Sequence, residues 1–130
     1  MRLVIGGKDS RIDEAIARWV LGRLDPDSQP KLVAGMYYAL GVVNADNKIV
    51  AGIVYSNYSK MGSGGSIEIA VAADDPRWCQ KGILRAWMHY PFIQQNCHIM
   101  IAMMKLRNKR VRKLASGLGF QVVGKVKHWP

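Results

Sequence analysis

The sequence predicts a mixed α/β layer structure with elements in the order β-α-β-β-β-α-β-α-β. Three observations predict it. Apolar residues alternate in some stretches and recur at three and four residues in others. Short runs rich in Gly, Pro, Asn and Asp separate these stretches at close intervals. The chain has 130 residues, 49% of them apolar, which is enough for one hydrophobic core and one domain over 1–130.

Residues 2–7, RLVIGG, read as a first strand running into a glycine turn. Ser10 follows as a helix N-cap, with Asp13 three residues on in the capping-box position. Ile12, Ile16, Trp19, Val20 and Leu24 recur at helical spacing and predict an amphipathic helix over 11–23. DPDSQP ends it. Residues 36–43 and 49–56 are apolar, β-rich runs joined by NADNK, whose Asn and Asp tolerate turn geometry, so they form a hairpin. SKMGSGG, 59–65, reads as a flexible loop. SIEIAVA, 66–72, alternates, with Ile67, Ile69 and Val71 on one face and Glu68 and Ala70 on the other. DDPRW is a turn. A helix follows over 82–95, with Pro91 bending it or marking its last turns. CHIMIAMM, 97–104, has the composition of a buried strand. NKRVRKLASGLG, 108–119, is a helix closed by glycine, and FQVVGKV is the last strand.

The charge is unevenly placed. The net charge is +10, yet all nine acids fall within residues 1–75, against eight cations there. Residues 76–130 hold eleven cations and no acid. This asymmetry points to a polyanionic partner for the second half, a nucleotide cofactor or a nucleic acid. The two cysteines, Cys79 and Cys97, lack the spacing of a structural metal site, and no metal is expected. Apolar runs are too short to span a bilayer, and the first residues do not read as a signal peptide. A cytoplasmic protein with no membrane partner is expected, as monomer or homodimer.

Asn108 and Leu118-Gly119-Phe120, placed after the strand–loop–helix–strand order, resemble the GCN5-related N-acetyltransferase (GNAT) superfamily over nearly the whole chain. HYPFIQQNCHIMIAMMKLRN, 89–108, is similar to small acetyltransferase-like proteins of tailed bacteriophages. The resemblance implies an acyl-CoA N-acyltransferase fold whose fourth and fifth strands, 66–72 and 97–104, splay apart to admit acetyl-CoA. It implies that backbone along Ala70, Val71 and Ala72 meets the cofactor, and that Val71 lies near the donor for the developing oxyanion. It places the pyrophosphate at the turn Gln80, Lys81, Gly82, Ile83 and Leu84, a helix N-terminus acting as an anion site. Gly82 would admit the phosphates closely, and Lys81 would add a charge. Asn108 would bond the pantetheine arm. Arg110 and Lys113, three apart on one helical face, are candidates for the cofactor's phosphates. Cys79 and Leu84 depart from the family's usual residues in that turn.

Transfer of an acetyl group to an amine needs a base and an acid. Glu68 is the candidate base, and a buried neighbourhood would raise its pKa toward neutrality. The family's usual acid, a tyrosine five residues before the Gly-Phe phenylalanine, is replaced by Ala115. Tyr90 is the candidate substitute, with Tyr55, Tyr58 or water as alternatives. The reaction expected is acetyl transfer from acetyl-CoA to a primary amine on a protein, small molecule or nucleic-acid-linked group. The alternative is a scaffold of this fold, weakly catalytic or not catalytic, that grips nucleic acid through its basic half, with Trp78, Trp87, His128 and Trp129 among its contacts.

Overall fold

In the computed structural model, the described residues are 1–5, 10–24, 32, 35–62, 64–78, 80–102, 113 and 116. They form strand β1 (Arg2–Ile5), helix α1 (Ser10–Leu21) and strands β2 (Tyr38–Val43), β3 (Ile49–Met61) and β4 (Gly64–Ala73). A 3-10 turn (Pro76–Trp78), helix α2 (Lys81–His89), a π-turn (Tyr90–Gln94) and strand β5 (Cys97–Ala102) complete them. The five strands make one sheet in sequence order, antiparallel from β1 to β4 and parallel between β4 and β5. This is the mixed sheet that the apolar periods predict. The predicted helix over 108–119 and the last strand fall outside the described residues, apart from Lys113 and Ser116, which are helical and exposed.

Among the described residues one helix covers each face, because each strand sends alternate residues to opposite sides. On one side Leu40, Val42, Ile53, Tyr55 and Ile67 pack with Trp78, Ile83 and Trp87 of the turn and α2. On the other, Ala39, Val54 and Ala70 pack under Ile16, Ala17 and Val20 of α1. Close approach of α1 depends on two glycines. Gly41 and Gly52 are register partners. A Cβ on Gly52 would lie 2.7 Å from Val20 Cγ2, and one on Gly41 would lie 3.2 Å from Ile16. Trp78 and Trp87, predicted above as base contacts, are instead stacked 4.5 Å apart and buried. Their large apolar rings fill the space between α2 and the sheet.

Two boundaries differ from the sequence reading. Residues 59–65 are not a loop. β3 continues to Met61, and β4 begins at Gly64, with Ser59↔Ser66, Lys60↔Gly65 and Met61↔Gly64 in register. A bulge between Ser56 and Ser59, with Asn57 at φ 52°, twists the hairpin where a regular ladder would stop. The second helix ends at His89, and Pro91 sits in the π-turn that follows. The hairpin over NADNK forms as predicted. Asn44 Oδ1 accepts the N–H groups of Asp46 and Lys48 at 2.9 and 3.1 Å. No described helix is long and apolar enough to cross a membrane.

Candidate active site

The β4–β5 pair sets the site's frame. Its parallel ladder runs from Gly65↔Cys97 to Ile69↔Ala102. β4 then goes on through Ala70, Val71, Ala72 and Ala73, which pair with Val54, Ile53, Gly52 and Ala51 of β3 and, among the described residues, with nothing on the β5 side. β5 is described only to Ala102 and is paired with β4 along that length, so the splaying expected between 66–72 and 97–104 falls on positions outside the described residues.

The chain after β4 is fixed by ion pairs. Arg23 binds Asp74 through Nε at 2.9 and 3.0 Å, and its guanidinium lies 3.6 Å over the Trp19 ring. Asp75 accepts the Arg77 backbone N–H at 2.9 Å and its guanidinium at 2.7 Å. These bonds from Arg77 hold the Asp75 carboxyl down at about 2. Arg77 is thereby matched to an acid, and its charge is not spare.

This connection presents the N-terminus of α2. Gln80 is the N-cap and makes no side-chain cap bond, and the first turn holds no acid. The N–H of Gln80 is given to Trp78 O at 2.8 Å, and that of Leu84 to Gln80 O at 2.9 Å. Of the five residues predicted for the phosphate turn, Lys81, Gly82 and Ile83 thus keep N–H groups without a helical acceptor. The Ile83 side chain is buried in the core, so only its backbone can serve. Lys81 and Gly82 are exposed. Nothing lies within 4 Å of the position a Gly82 Cβ would take.

A second feature lies toward the other end of the sheet, where β4 and β5 begin. A cleft of about 120 Å³ is lined by Tyr37, Tyr38, Tyr55, Tyr58 and Tyr90, together with Ser56 and Ile67. These are all five tyrosines of the chain. Tyr38 and Tyr90 stack at 4.1 Å, and Tyr55 lies 4.7 Å from Tyr90. Burial pushes the phenols of Tyr38, Tyr55 and Tyr90 up from their usual range.

Glu68 lies on the α1 side of β4 with Ala70 and Ala72, opposite Ser56 on β3. It is partly exposed, and Asn57 Nδ2 donates to its Oε2 at 2.8 Å. The buried apolar neighbourhood expected for it is absent, because Ile67, Ile69 and Val71 face the other way. Tyr90 packs on the α2 side of the sheet with Tyr55. The two candidate catalytic groups are thus on opposite faces of the sheet. Asn108 and Arg110 lie outside the described residues, as do Cys79 and Ala115. Cys97 is buried and His98 exposed, as their neighbouring positions on a strand require.

The gathering of tyrosines escaped the sequence reading, which weighed Tyr55, Tyr58 and Tyr90 one at a time. Its signal was available in Tyr55-Ser56-Asn57-Tyr58, a polar-tipped stretch at the end of an otherwise apolar strand.

No protein-family model matches the chain, and no curated sequence does. Solved structures do. A ribosomal-protein-alanine N-acetyltransferase from Brucella melitensis biovar Abortus 2308 superposes with a TM-score of 0.67 at 10% identity, covering 97% of this chain and 96% of its own. An aminoglycoside 6′-N-acetyltransferase from Acinetobacter baumannii gives 0.63 at 14% identity, with 99% and 96% covered. The chain has the GNAT acetyltransferase fold. A further aminoglycoside acetyltransferase of this fold, in complex with a bisubstrate analogue built on CoA, gives 0.54 at 17% identity over 75% of this chain and 70% of its own. The likeness to phage proteins rests on the sequence stretch 89–108 alone. Among the described residues no group of His, Cys, Asp and Glu gathers to hold a metal.

Proposed function

We propose that the protein transfers an acetyl group from acetyl-CoA to a primary amine. One observation carries this reading: β4 leads to an uncapped helix N-terminus, that of α2, whose first turn holds no acid. The likeness in fold to acetyltransferases, one of them holding a CoA-based analogue, supports it.

The residues present fit the cofactor. The N–H groups of Lys81, Gly82 and Ile83 lack helical acceptors at the positive end of α2, and nothing crowds the Gly82 Cβ position, which suits a pyrophosphate. Lys81 adds a charge beside it. By the likeness in fold, backbone along Ala70, Val71 and Ala72 meets the pantetheine arm, and a donor near Val71 meets the developing oxyanion. Asn108, Arg110 and Lys113 are assigned to the pantetheine and the outer phosphates on the motif alone. Bound acetyl-CoA supplies a thioester carbonyl that accepts the lone pair of the amine while the thiolate leaves with the electrons of the C–S bond.

Glu68 takes the proton of the incoming amine. Asn57 holds one of its oxygens, so the carboxylate has a fixed direction and one oxygen to spare. Tyr90 has no proton-transfer role in this reading. Its ring is stacked on Tyr38, and burial makes its phenol a weaker acid.

The test is a thiol-release assay with acetyl-CoA and an amine panel. Glu68→Gln is expected to lower turnover by about 10²-fold and leave acetyl-CoA affinity nearly unchanged. An unchanged rate would return Glu68 to the role of orienting Asn57 at the bulge.

A further inference from the structure

We infer that the five-tyrosine cleft is the acceptor subsite and that it selects an unbranched aliphatic ammonium at the end of a slender chain. The inference rests on the acetyl-transfer reading and goes beyond it by naming the class of acceptor.

Size is the first argument. The cleft holds about 120 Å³. A water occupies roughly 30 Å³ of liquid, and a dry protein cavity of about 150 Å³ accepts a benzene ring. The tyrosine cleft therefore accommodates an amino group with three or four carbons behind it. Its enclosed part takes only the slender end of an acceptor, and the rest lies in solvent.

The lining is the second. Tyrosine rings from the start of β2, from β3 and from the π-turn after α2 meet here, and burial keeps their phenols neutral. Neutral phenol faces attract a cation through the ring quadrupole. Their apolar bodies cover a methylene chain laid along the cleft.

Charge is the third. The protein carries +10 overall, yet neither Lys nor Arg is among the described residues that line the cleft. Asp13, in the first turn of α1, stands close enough to weaken the acidity of Tyr37, Tyr38 and Tyr90. Glu14 acts on Tyr37 in the same sense, and Arg18, its ion-pair partner, acts in the opposite one. Glu68 lies across the β3–β4 ladder from Ser56, which lines the cleft. The Asp13 field favours an ammonium, whereas a phosphate finds no cation among the described lining residues. The basic half and this cleft are electrostatically opposite, one suited to the anionic cofactor and the other to a cationic acceptor.

The experiment reads binding and transfer separately. In the first arm, tyrosine ring resonances are followed while butylammonium, or the uncharged 1-butanol of similar shape, is added to the protein without acetyl-CoA. Butylammonium is expected to bind at least tenfold more tightly. Asp13→Asn and Tyr58→Ala should each weaken it several-fold without altering acetyl-CoA affinity. Tyr58 is 47% exposed, so its variant keeps the fold if Asp13→Asn disturbs the start of α1. In the second arm, acetylation of butylamine and Nα-acetyl-lysine is compared with that of kanamycin and aniline, and the slender amines should react at least tenfold faster. Equal binding of butylammonium and butanol overturns the inference. So does faster acetylation of kanamycin, or a selectivity that Tyr58→Ala does not move. Charge-selective binding with no acetyl transfer leaves the cleft as an ammonium site and removes the acetyl-transfer reading instead.

Discussion

Tyr55 shows how one side chain links the core to the candidate site. The Tyr55 hydroxyl donates to the Trp87 carbonyl, and that carbonyl needs it. Four residues on stands Pro91, which has no N–H to complete the helical bond. Tyr55→Phe keeps the ring and leaves the carbonyl short of a donor. A loss of about 1–3 kcal/mol is expected in denaturant unfolding. The sign of the alkaline response follows from the same burial. Tyr38, Tyr55 and Tyr90 have folded pKa values raised above the ordinary 10. Their contribution is complete below pH 10 and is lost as pH rises through the raised values. Tyrosinate absorbance should therefore appear late and together with unfolding, and Tyr55→Phe should soften that cooperativity. Glu68 stands differently: the sequence placed it on the correct face, but its Asn57 partner was not legible. That contact depends on a bulge, which no local pattern announces.

At the scale of elements, α1 is positioned by glycine more than by propensity. Its apolar stripe was legible from the spacing of Ile16 and Val20, but the depth of its seat was not. That depth comes from Gly41 and Gly52 lying side by side across two strands. Gly52→Ala would bring a methyl 2.7 Å from Val20 Cγ2. Val20 is β-branched and has little rotamer freedom in a helix. The expected cost is about 1–3 kcal/mol by thermal or denaturant unfolding, and a full-strength variant would show that α1 can lift. β3 and β4 teach the reverse lesson. A run of Gly and Ser in 62–65 reads as a loop, yet the antiparallel ladder extends to Met61↔Gly64. A backbone ladder needs no apolar side chains to continue, so composition underestimates strand length. The β4–α2 turn was legible in place. Which of its N–H groups are spent within the helix was not, because that depends on the geometry of the cap.

For the whole molecule, order and polarity were the legible parts. Alternating periods specified the described element order, and the sign asymmetry divided the chain into a near-neutral half and a basic half. The tyrosine cleft was not legible, because Tyr37, Tyr55 and Tyr90 are far apart in sequence and meet only through sheet register and the π-turn. The central claim is that the end of β4 and the N-terminus of α2 hold acetyl-CoA. Calorimetric titration of the protein with acetyl-CoA tests it most directly, alongside Lys81→Ala and a single-stranded RNA control. The account predicts saturable one-to-one binding that Lys81→Ala weakens by roughly 10-fold or more, the worth of one charged hydrogen bond to phosphate. Absence of acetyl-CoA binding at millimolar concentration, with salt-sensitive binding of RNA in its place, would contradict it.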